Sequence, residues 1–174
     1  MRTILLLFLI ASPAFAQSAP GVAMAPGCGA FSVTFSVKTN KNQHPFAQPD
    51  AGKALVYFVE DDSNFNATPK PTVRVGLDGA WVGATHGNSY FYFSVDVGEH
   101  HLCASWQGRG LQSYVAATHF NAKAGELYFF RVRDTFLWPR GSALIRRMDL
   151  TSVNSDEGQL LASQYSFSTA HAKN

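Results

Sequence analysis

The dipeptide Asp78-Gly79 is the strongest local structural signal in this chain. Both residues tolerate the positive φ angles that a two-residue hairpin turn requires. Residues 72–77 before the dipeptide and residues 80–84 after it have the composition of short strands. The sequence therefore predicts a β-hairpin at this position.

Similar short runs recur along the chain, with turn signals between them. Residues 31–38 alternate apolar and polar side chains with a period of two, which favours a strand with one solvated face. Residues 54–59 (ALVYFV) form a short continuous apolar run, which favours a strand buried on both faces. Further strands are predicted at residues 90–97, 100–106, 114–120, 126–133 and 144–150.

These runs, about eight or nine in number, predict an all-β fold. They do not alternate with long amphipathic helices, which argues against a parallel sheet of βαβ units. An antiparallel two-sheet β-sandwich is the simplest way to bury one face of each strand. One short helix is predicted near the C-terminus, capped by Asn154 or Ser155 and ending at Ala162, and residues 166–174 are predicted to form a loose tail.

The N-terminal residues predict export. Met1-Arg2 precedes an apolar run over residues 4–10, and Ala14 and Ala16 are small residues of the kind found at a signal-peptidase site. The apolar run is far shorter than the ~20 residues that span a bilayer, so residues 1–16 are predicted to be a signal peptide and not a membrane span. Cleavage near Ala16 would place the protein in the periplasm or outside the cell. The rest divides into a flexible leader (17–27), an N-terminal strand with a Pro-containing linker (28–51) and a β-sandwich domain (52–165).

Charge and composition exclude two classes of protein. The 174 residues include 14 Lys and Arg against 12 Asp and Glu, so the net charge is +2 and no basic surplus can neutralise nucleic-acid phosphates. A hydrophobic content of 46% and an aromatic content of 13% exclude disorder over the whole length. A dedicated nucleic-acid binder is therefore not expected.

The chain has two cysteines, Cys28 and Cys103. In an oxidising compartment an even pair favours a disulfide. The alternative is that Cys103, on a predicted strand, is a small buried hydrophobic residue. Neither cysteine has an activating base beside it in the sequence, so a catalytic thiol is not predicted.

Several short motifs resemble those of a known group of proteins. They are GKALVY at 52–57, VGLDG at 75–79, VG at 82–83, GEH at 98–100, and AG at 124–125 before YF at 128–129. Over about residues 52 to 165 the chain resembles exported bacterial proteins that are grouped as an uncharacterised domain of unknown function. The pattern is also similar to PEGA-type modules, which are Ig-like or transthyretin-like β-sandwiches of bacterial envelopes. The resemblance implies a β-sandwich with a non-catalytic envelope role, and it supplies no catalytic residues.

Aromatic residues are the most informative functional feature. In the run YFYF at 90–93 the two phenylalanines share one strand face and the two tyrosines share the other. If the phenylalanine face is core, an open tyrosine face with a tryptophan nearby could stack on sugar rings or anchor a protein partner. The alternative is that the N-terminal segment, tethered through Cys28, covers the tyrosines. The candidate binding residues are Trp81, Tyr90, Tyr92, Trp106 and Trp138.

Metal and cofactor sites are not predicted. Of the six histidines, His100 and His101 are adjacent on a strand, so they point to opposite faces and cannot chelate one ion together. A structural zinc site commonly uses four Cys and His ligands at short spacing, a pattern that this sequence lacks.

Catalytic residues are not predicted either. The sequence contains no G-x-S-x-G and no H-E-x-x-H motif. The acidic run Glu60-Asp61-Asp62 could supply paired carboxylates to a glycosidase, but we expect it to form a solvated loop at the end of a strand.

The sequence thus favours an exported, non-enzymatic β-sandwich module that binds a glycan or a protein partner in the bacterial envelope. One alternative is an exported hydrolase that uses a histidine such as His86 or His100 beside an acid. A second alternative is a metal-binding periplasmic protein.

Overall fold

The computed structural model describes Ala25, residues 27–108 and residues 114–173. The predicted signal peptide and most of the predicted leader lie outside these residues. Within them the chain forms ten strands and one helix, and no helix there is long and apolar enough to cross a bilayer. The elements are β1 Thr34–Asn40, β2 Ala54–Phe65, β3 Thr72–Leu77, β4 Ala80–His86, β5 Ser89–Val95, β6 Gly98–Gln107, β7 Val115–Ala122, β8 Leu127–Leu137, β9 Ile145–Val153, α1 Ser155–Gln164 and β10 Ser166–Lys173.

The strands form two sheets that pack face to face. The larger sheet has six strands in the order β1-β10-β5-β2-β8-β9, and the smaller sheet has four in the order β4-β3-β6-β7. Most neighbouring strands are antiparallel, but β2 is parallel to β8 and β10 is parallel to β5. The predicted all-β sandwich with one short C-terminal helix is confirmed, with two parallel pairs that the prediction did not include.

Strand alternation in β2 explains its continuous apolar run. The even-numbered residues from Ala54 to Phe58 point toward the smaller sheet and belong to the core between the sheets. The odd-numbered residues from Leu55 to Val59 point the other way and form a second apolar cluster with residues of α1. Both faces of the larger sheet are therefore covered, which is why no polar residue interrupts this stretch.

The hairpin predicted at Asp78-Gly79 is confirmed. Asp78 has φ 50° and Gly79 has φ 87°, and the two residues connect the antiparallel strands β3 and β4. Positive φ at both central positions is the geometry that asparagine, aspartate and glycine accommodate best. Local sequence alone was sufficient to predict this turn.

The predicted loose tail is wrong, because Ser166–Lys173 is a strand. β10 pairs antiparallel with all of β1 and begins beside β5. Its residues also pack inward: the Ser168 hydroxyl donates to the Ser89 hydroxyl at 2.8 Å, and the Phe167 ring contacts the Tyr90 ring. The sandwich therefore extends beyond the predicted domain of residues 52–165 on both sides, since β1 and β10 complete the larger sheet.

The predicted helix cap is also confirmed. The Asn154 side chain accepts a hydrogen bond from the Glu157 amide at 2.9 Å, which satisfies one free N–H of the first turn of α1. Gly158 is buried in α1, and a Cβ at this position would overlap the Phe129 ring. The glycine, although a poor helix former, lets the helix approach β8 closely.

Candidate functional site

A disulfide joins Cys28 to Cys103 on β6, with a Cα–Cα distance of 5.2 Å. The predicted pairing is confirmed. Cys103 lies on the face of the smaller sheet that points away from the core, because its neighbours Leu102 and Ala104 point inward. The bond therefore fixes the segment before β1 on the outer face of the smaller sheet.

Beneath this segment lies a buried arginine. The Arg74 guanidinium donates to the carbonyl oxygens of Phe31 and Val33 at 3.1 and 2.9 Å. Trp81 stacks on it, with its ring 4.5 Å from the guanidinium carbon, and the Trp81 indole donates to the Ala30 carbonyl at 2.7 Å. Trp81, a predicted binding residue, therefore holds the N-terminal segment in place.

The tyrosine face is covered, so the predicted open recognition surface does not form there. Tyr90 is only 1% exposed, and its hydroxyl donates to the Pro45 carbonyl at 3.0 Å. The rings of Tyr90 and Tyr92 both pack against Phe167 of β10, at 5.5 and 5.6 Å between centroids. The covering residues come from the segment after β1 and from β10, whereas the segment tethered by Cys28 lies on the other sheet.

The two remaining candidate tryptophans differ completely. Trp106 is buried between the sheets, where its indole donates to Asp134 Oδ2 at 2.7 Å and its ring packs on Tyr114. Trp138, in the segment after β8, is 76% exposed. The five predicted binding residues consequently lie in different environments and do not share one surface.

Three carboxylates meet between the sheets beside Trp106. Glu60 and Asp62 of β2 and Asp134 of β8 are 0%, 3% and 0% exposed, and one oxygen of each lies within 4.8 Å of the others. We call these three residues the acidic cluster. The solvated loop predicted at residues 60–62 is therefore wrong, because Glu60 and Asp62 continue the inward-facing side of β2.

A β-bulge helps to assemble the cluster. The register between β2 and β8 shifts between Asp61 and Asn64, so β2 carries one more residue than β8 there. Asp61 points to the opposite face, where it pairs with Arg133 at 2.8 Å. The acidic run is thus divided, with one carboxylate paired on the outer face and two directed inward.

Few groups neutralise the acidic cluster. The Gly87 amide donates to Glu60 Oε1 at 3.1 Å, and Lys70 Nζ lies 3.3 Å from Asp62 Oδ2. At least one oxygen of each member accepts no hydrogen bond from any described residue. Unpaired buried carboxylate oxygens are costly, which makes this cluster unusual for a core.

Burial raises the pKa of every carboxyl group in the cluster. The pKa of Glu60 lies well above its ordinary value, first because of burial and second because of the charge on Asp62. Burial also raises the pKa of Asp62, although Lys70 opposes the shift, and it raises the pKa of Asp134 to about 7. Three negative charges are therefore unfavourable here unless positive charge joins them.

An open cleft of about 390 Å³ adjoins the cluster. Two residues, Lys70 and Trp106, line the cleft and also contact the carboxylates of the cluster. The Lys70 side chain is 31% exposed. The remaining lining residues, mostly apolar, are Phe65, Ala67, Pro69, Pro71, Thr72, Gln107 and Phe136. A larger depression of about 560 Å³ is lined only by residues 154–157 and Leu160, so it borders a single segment.

The two histidines considered for catalysis have other surroundings. His100 Nδ1 lies 2.6 Å from Asp78 Oδ2, and its Nε2 lies 2.9 Å from the Asp96 carbonyl oxygen. Both partners are acceptors, so the ring satisfies both only as an imidazolium, with no nitrogen left to act as a base. His86 is exposed at the end of β4.

This histidine pair predicts a pH dependence of stability. Burial lowers the pKa of His100, but the hydrogen bond to Asp78 and the further bond to Asp96 outweigh it and raise the pKa. The stabilisation is therefore complete below the unfolded-state pKa of about 6.5 and is lost as the pH rises through the higher folded-state pKa. We expect His100→Gln to cost about 0.5–1 kcal/mol more at pH 5.5 than at pH 8.5, measured by urea unfolding, because the pair is partly solvated. An equal cost at both pH values would contradict the assignment, and Asp78→Asn should remove the same dependence.

Comparison with known proteins matches the chain to a family model. A family model described as "Protein of unknown function (DUF2846)" matches residues 50–139, more than half of the chain. The matched stretch contains β2 to β8, and with them the acidic cluster, Lys70 and Trp106. No curated protein and no solved structure matches the chain.

Proposed function

The chain belongs to the DUF2846 family, whose function is unknown, and we propose that it is an exported, non-enzymatic binding module of the bacterial cell envelope. The cleft beside the acidic cluster is its binding site. The observation that carries this proposal is the size and lining of that cleft. Its volume of about 390 Å³ lies within the range of about 300–1,000 Å³ that is typical of ligand sites, and a largely apolar wall with few polar groups is their usual composition.

The lining favours a ligand with one apolar face and one polar edge. Phe65 and Phe136 present aromatic surface, on which the C–H face of a sugar ring or an aliphatic side chain packs well. Lys70 offers an ammonium donor that suits a carboxylate, and Gln107, whose amide pairs with the Phe35 backbone, adds polar surface. Soluble peptidoglycan fragments combine sugar rings, short peptides and carboxylates, so they are the ligand class that we expect.

Two features support export. The N-terminal residues have the pattern of a signal peptide, and a disulfide is typical of proteins that work outside the reducing cytoplasm. Together with the resemblance of the sequence to envelope β-sandwiches, these features support the proposed placement in the envelope.

A non-enzymatic role is supported by the surroundings of the titratable groups. Asp134, whose pKa of about 7 would suit an acid–base catalyst, is fully buried and hydrogen-bonded to Trp106. A general acid must come within hydrogen-bonding reach of the substrate, and this carboxyl group does not reach the surface. His100 has both ring nitrogens engaged.

Calorimetric titration of the mature protein with soluble peptidoglycan fragments tests the proposal. We expect saturable binding by the wild type and at least about tenfold weaker binding by Ala67→Trp, because the indole would fill the cleft. Ala143→Trp places the same side chain at an exposed position and should bind like the wild type. Absence of binding, equal binding by both variants, or cleavage of the fragments in mass spectra would each contradict the proposal.

A further inference from the structure

The acidic cluster has an unbalanced charge. When ionised, Glu60, Asp62 and Asp134 carry three negative charges, and among the described residues Lys70 is the cation paired with the cluster, through Asp62. The net charge of minus two lies in a region that excludes water from all three carboxylates. Interior charge of this size requires either protons or a bound cation. One divalent ion would balance it completely.

The spacing of the carboxylate oxygens is suitable for coordination of one metal ion. One oxygen from each carboxylate lies within 4.8 Å of the other two. Calcium binds oxygen at about 2.3–2.6 Å, so oxygens on opposite sides of the ion are about 5 Å apart. All three donors are hard carboxylate oxygens, which prefer Ca²⁺ or Mg²⁺ to the softer ions that nitrogen and sulfur ligands select.

A second buried group points to a ligand at the same place. Thr85 of β4 is fully buried and faces inward, because its partner across the hairpin, Val73, belongs to the core between the sheets. Its hydroxyl lies beside Glu60, but it makes no hydrogen bond that meets distance and angle criteria within the described residues. A buried hydroxyl without a partner is uncommon, and a cation would accept its oxygen as a further ligand.

We propose that Glu60, Asp62 and Asp134 bind one hard divalent cation, Ca²⁺ in the first place, between the two sheets. The ion joins β2 to β8 of the larger sheet and lies near β4 and β6 of the smaller one. Lys70 limits its affinity, since the ammonium group competes for Asp62. The site shares Lys70 and Trp106 with the cleft, but Ca²⁺ binding is measured without the envelope ligand, so a failure of either proposal is distinguishable from a failure of the other.

Calorimetry on mature, untagged protein stripped with EDTA tests the proposal, with CaCl₂, MgCl₂ and ZnCl₂ as separate titrants. We expect one Ca²⁺ or Mg²⁺ per chain and a rise in Tm with the bound ion. Glu60→Gln should weaken binding at least about tenfold, as loss of a ligand does. Glu99→Gln, the matched change at an exposed residue of β6, should bind like the wild type.

Lys70→Gln keeps the test decisive if Glu60→Gln does not fold. Removing the competing ammonium should tighten Ca²⁺ binding several-fold, an effect that a merely destabilising substitution would not produce. Three results would overturn the proposal: no saturable binding of Ca²⁺ or Mg²⁺, unchanged or weaker binding by Lys70→Gln, or stoichiometric binding of Zn²⁺ alone. In the first case protons, and not a hard cation, balance the cluster.

Discussion

Removal of the disulfide is expected to lower the free energy of unfolding by about 4 kcal/mol. Cys28 and Cys103 are 75 residues apart, so the bond removes a large loop-closure entropy from the unfolded chain. The bond also holds the segment whose carbonyl groups accept from Arg74, and release of that segment would leave a buried guanidinium without those acceptors.

Urea unfolding of the double variant Cys28→Ala, Cys103→Ala measures this loss. The control is wild-type protein in reductant. Reductant breaks the disulfide but keeps both cysteine side chains, so it separates loss of the bond from loss of side-chain volume. We expect reductant to destabilise the wild type and to leave the double variant unchanged. A loss below about 1 kcal/mol in both comparisons would mean that the segment contributes little to the fold.

The second large effect is expected at the tyrosine face. Tyr90→Ala should destabilise the protein by about 3–5 kcal/mol, the usual cost of truncating a large buried aromatic residue. Tyr90 is enclosed by the Pro45 segment and Phe167, and its ring also contacts Tyr57. Trp138→Ala, which changes another residue of the same predicted binding set, should alter stability by at most about 0.5 kcal/mol, since that ring is exposed.

Chemical denaturation of both variants distinguishes a covered face from an open one. Tyr90→Phe adds a finer measure: it removes only the hydrogen bond to Pro45 and should cost about 1 kcal/mol. If Tyr90→Ala lowered the free energy of unfolding as little as Trp138→Ala, the tyrosine face would be open in solution. That result would agree with the recognition surface that the sequence predicted.

Elements defined by short-range signals were predicted well from the sequence. The turn at Asp78-Gly79 depends on backbone conformations of two residues, and the cap at Asn154 depends on a hydrogen bond three residues away. The buried strand at residues 54–59 follows from an apolar run that only a doubly covered sheet accommodates. In these cases the local structure is decided by interactions between residues that are close in sequence.

Elements decided by distant pairing were missed. Residues 166–173 are mostly polar or small, and they form β10 because β1 and β5 supply hydrogen-bonding partners more than 70 residues away in sequence. The cover over the tyrosine face likewise comes from residues far from β5. The composition of a segment does not reveal contacts with residues that are distant in sequence.

Strand periodicity is a sequence signal for the acidic cluster, but the charge of its three residues argues against burial. Glu60 and Asp62 have the same parity as Phe58, and Asp134 has the same parity as Val132. The predicted strands end at residues 59 and 133; continued beyond those ends, the same periodicity places all three inward, but burial of three carboxylates conflicts with their solvation. Where the periodicity of a strand and the polarity of its residues disagree, a functional site is the first explanation to test.

NMR of ¹⁵N-labelled mature protein, titrated with soluble peptidoglycan fragments, tests most directly whether the cleft beside the acidic cluster is the binding site. Each of the three tryptophans has one indole N–H signal, and the tryptophans lie in three different places. Trp106 lines the cleft and donates to Asp134, so its signal should shift on binding while those of Trp81 and Trp138 stay in place. A shift confined to Trp138 or Trp81, or no shift at saturating fragment, would contradict the claim.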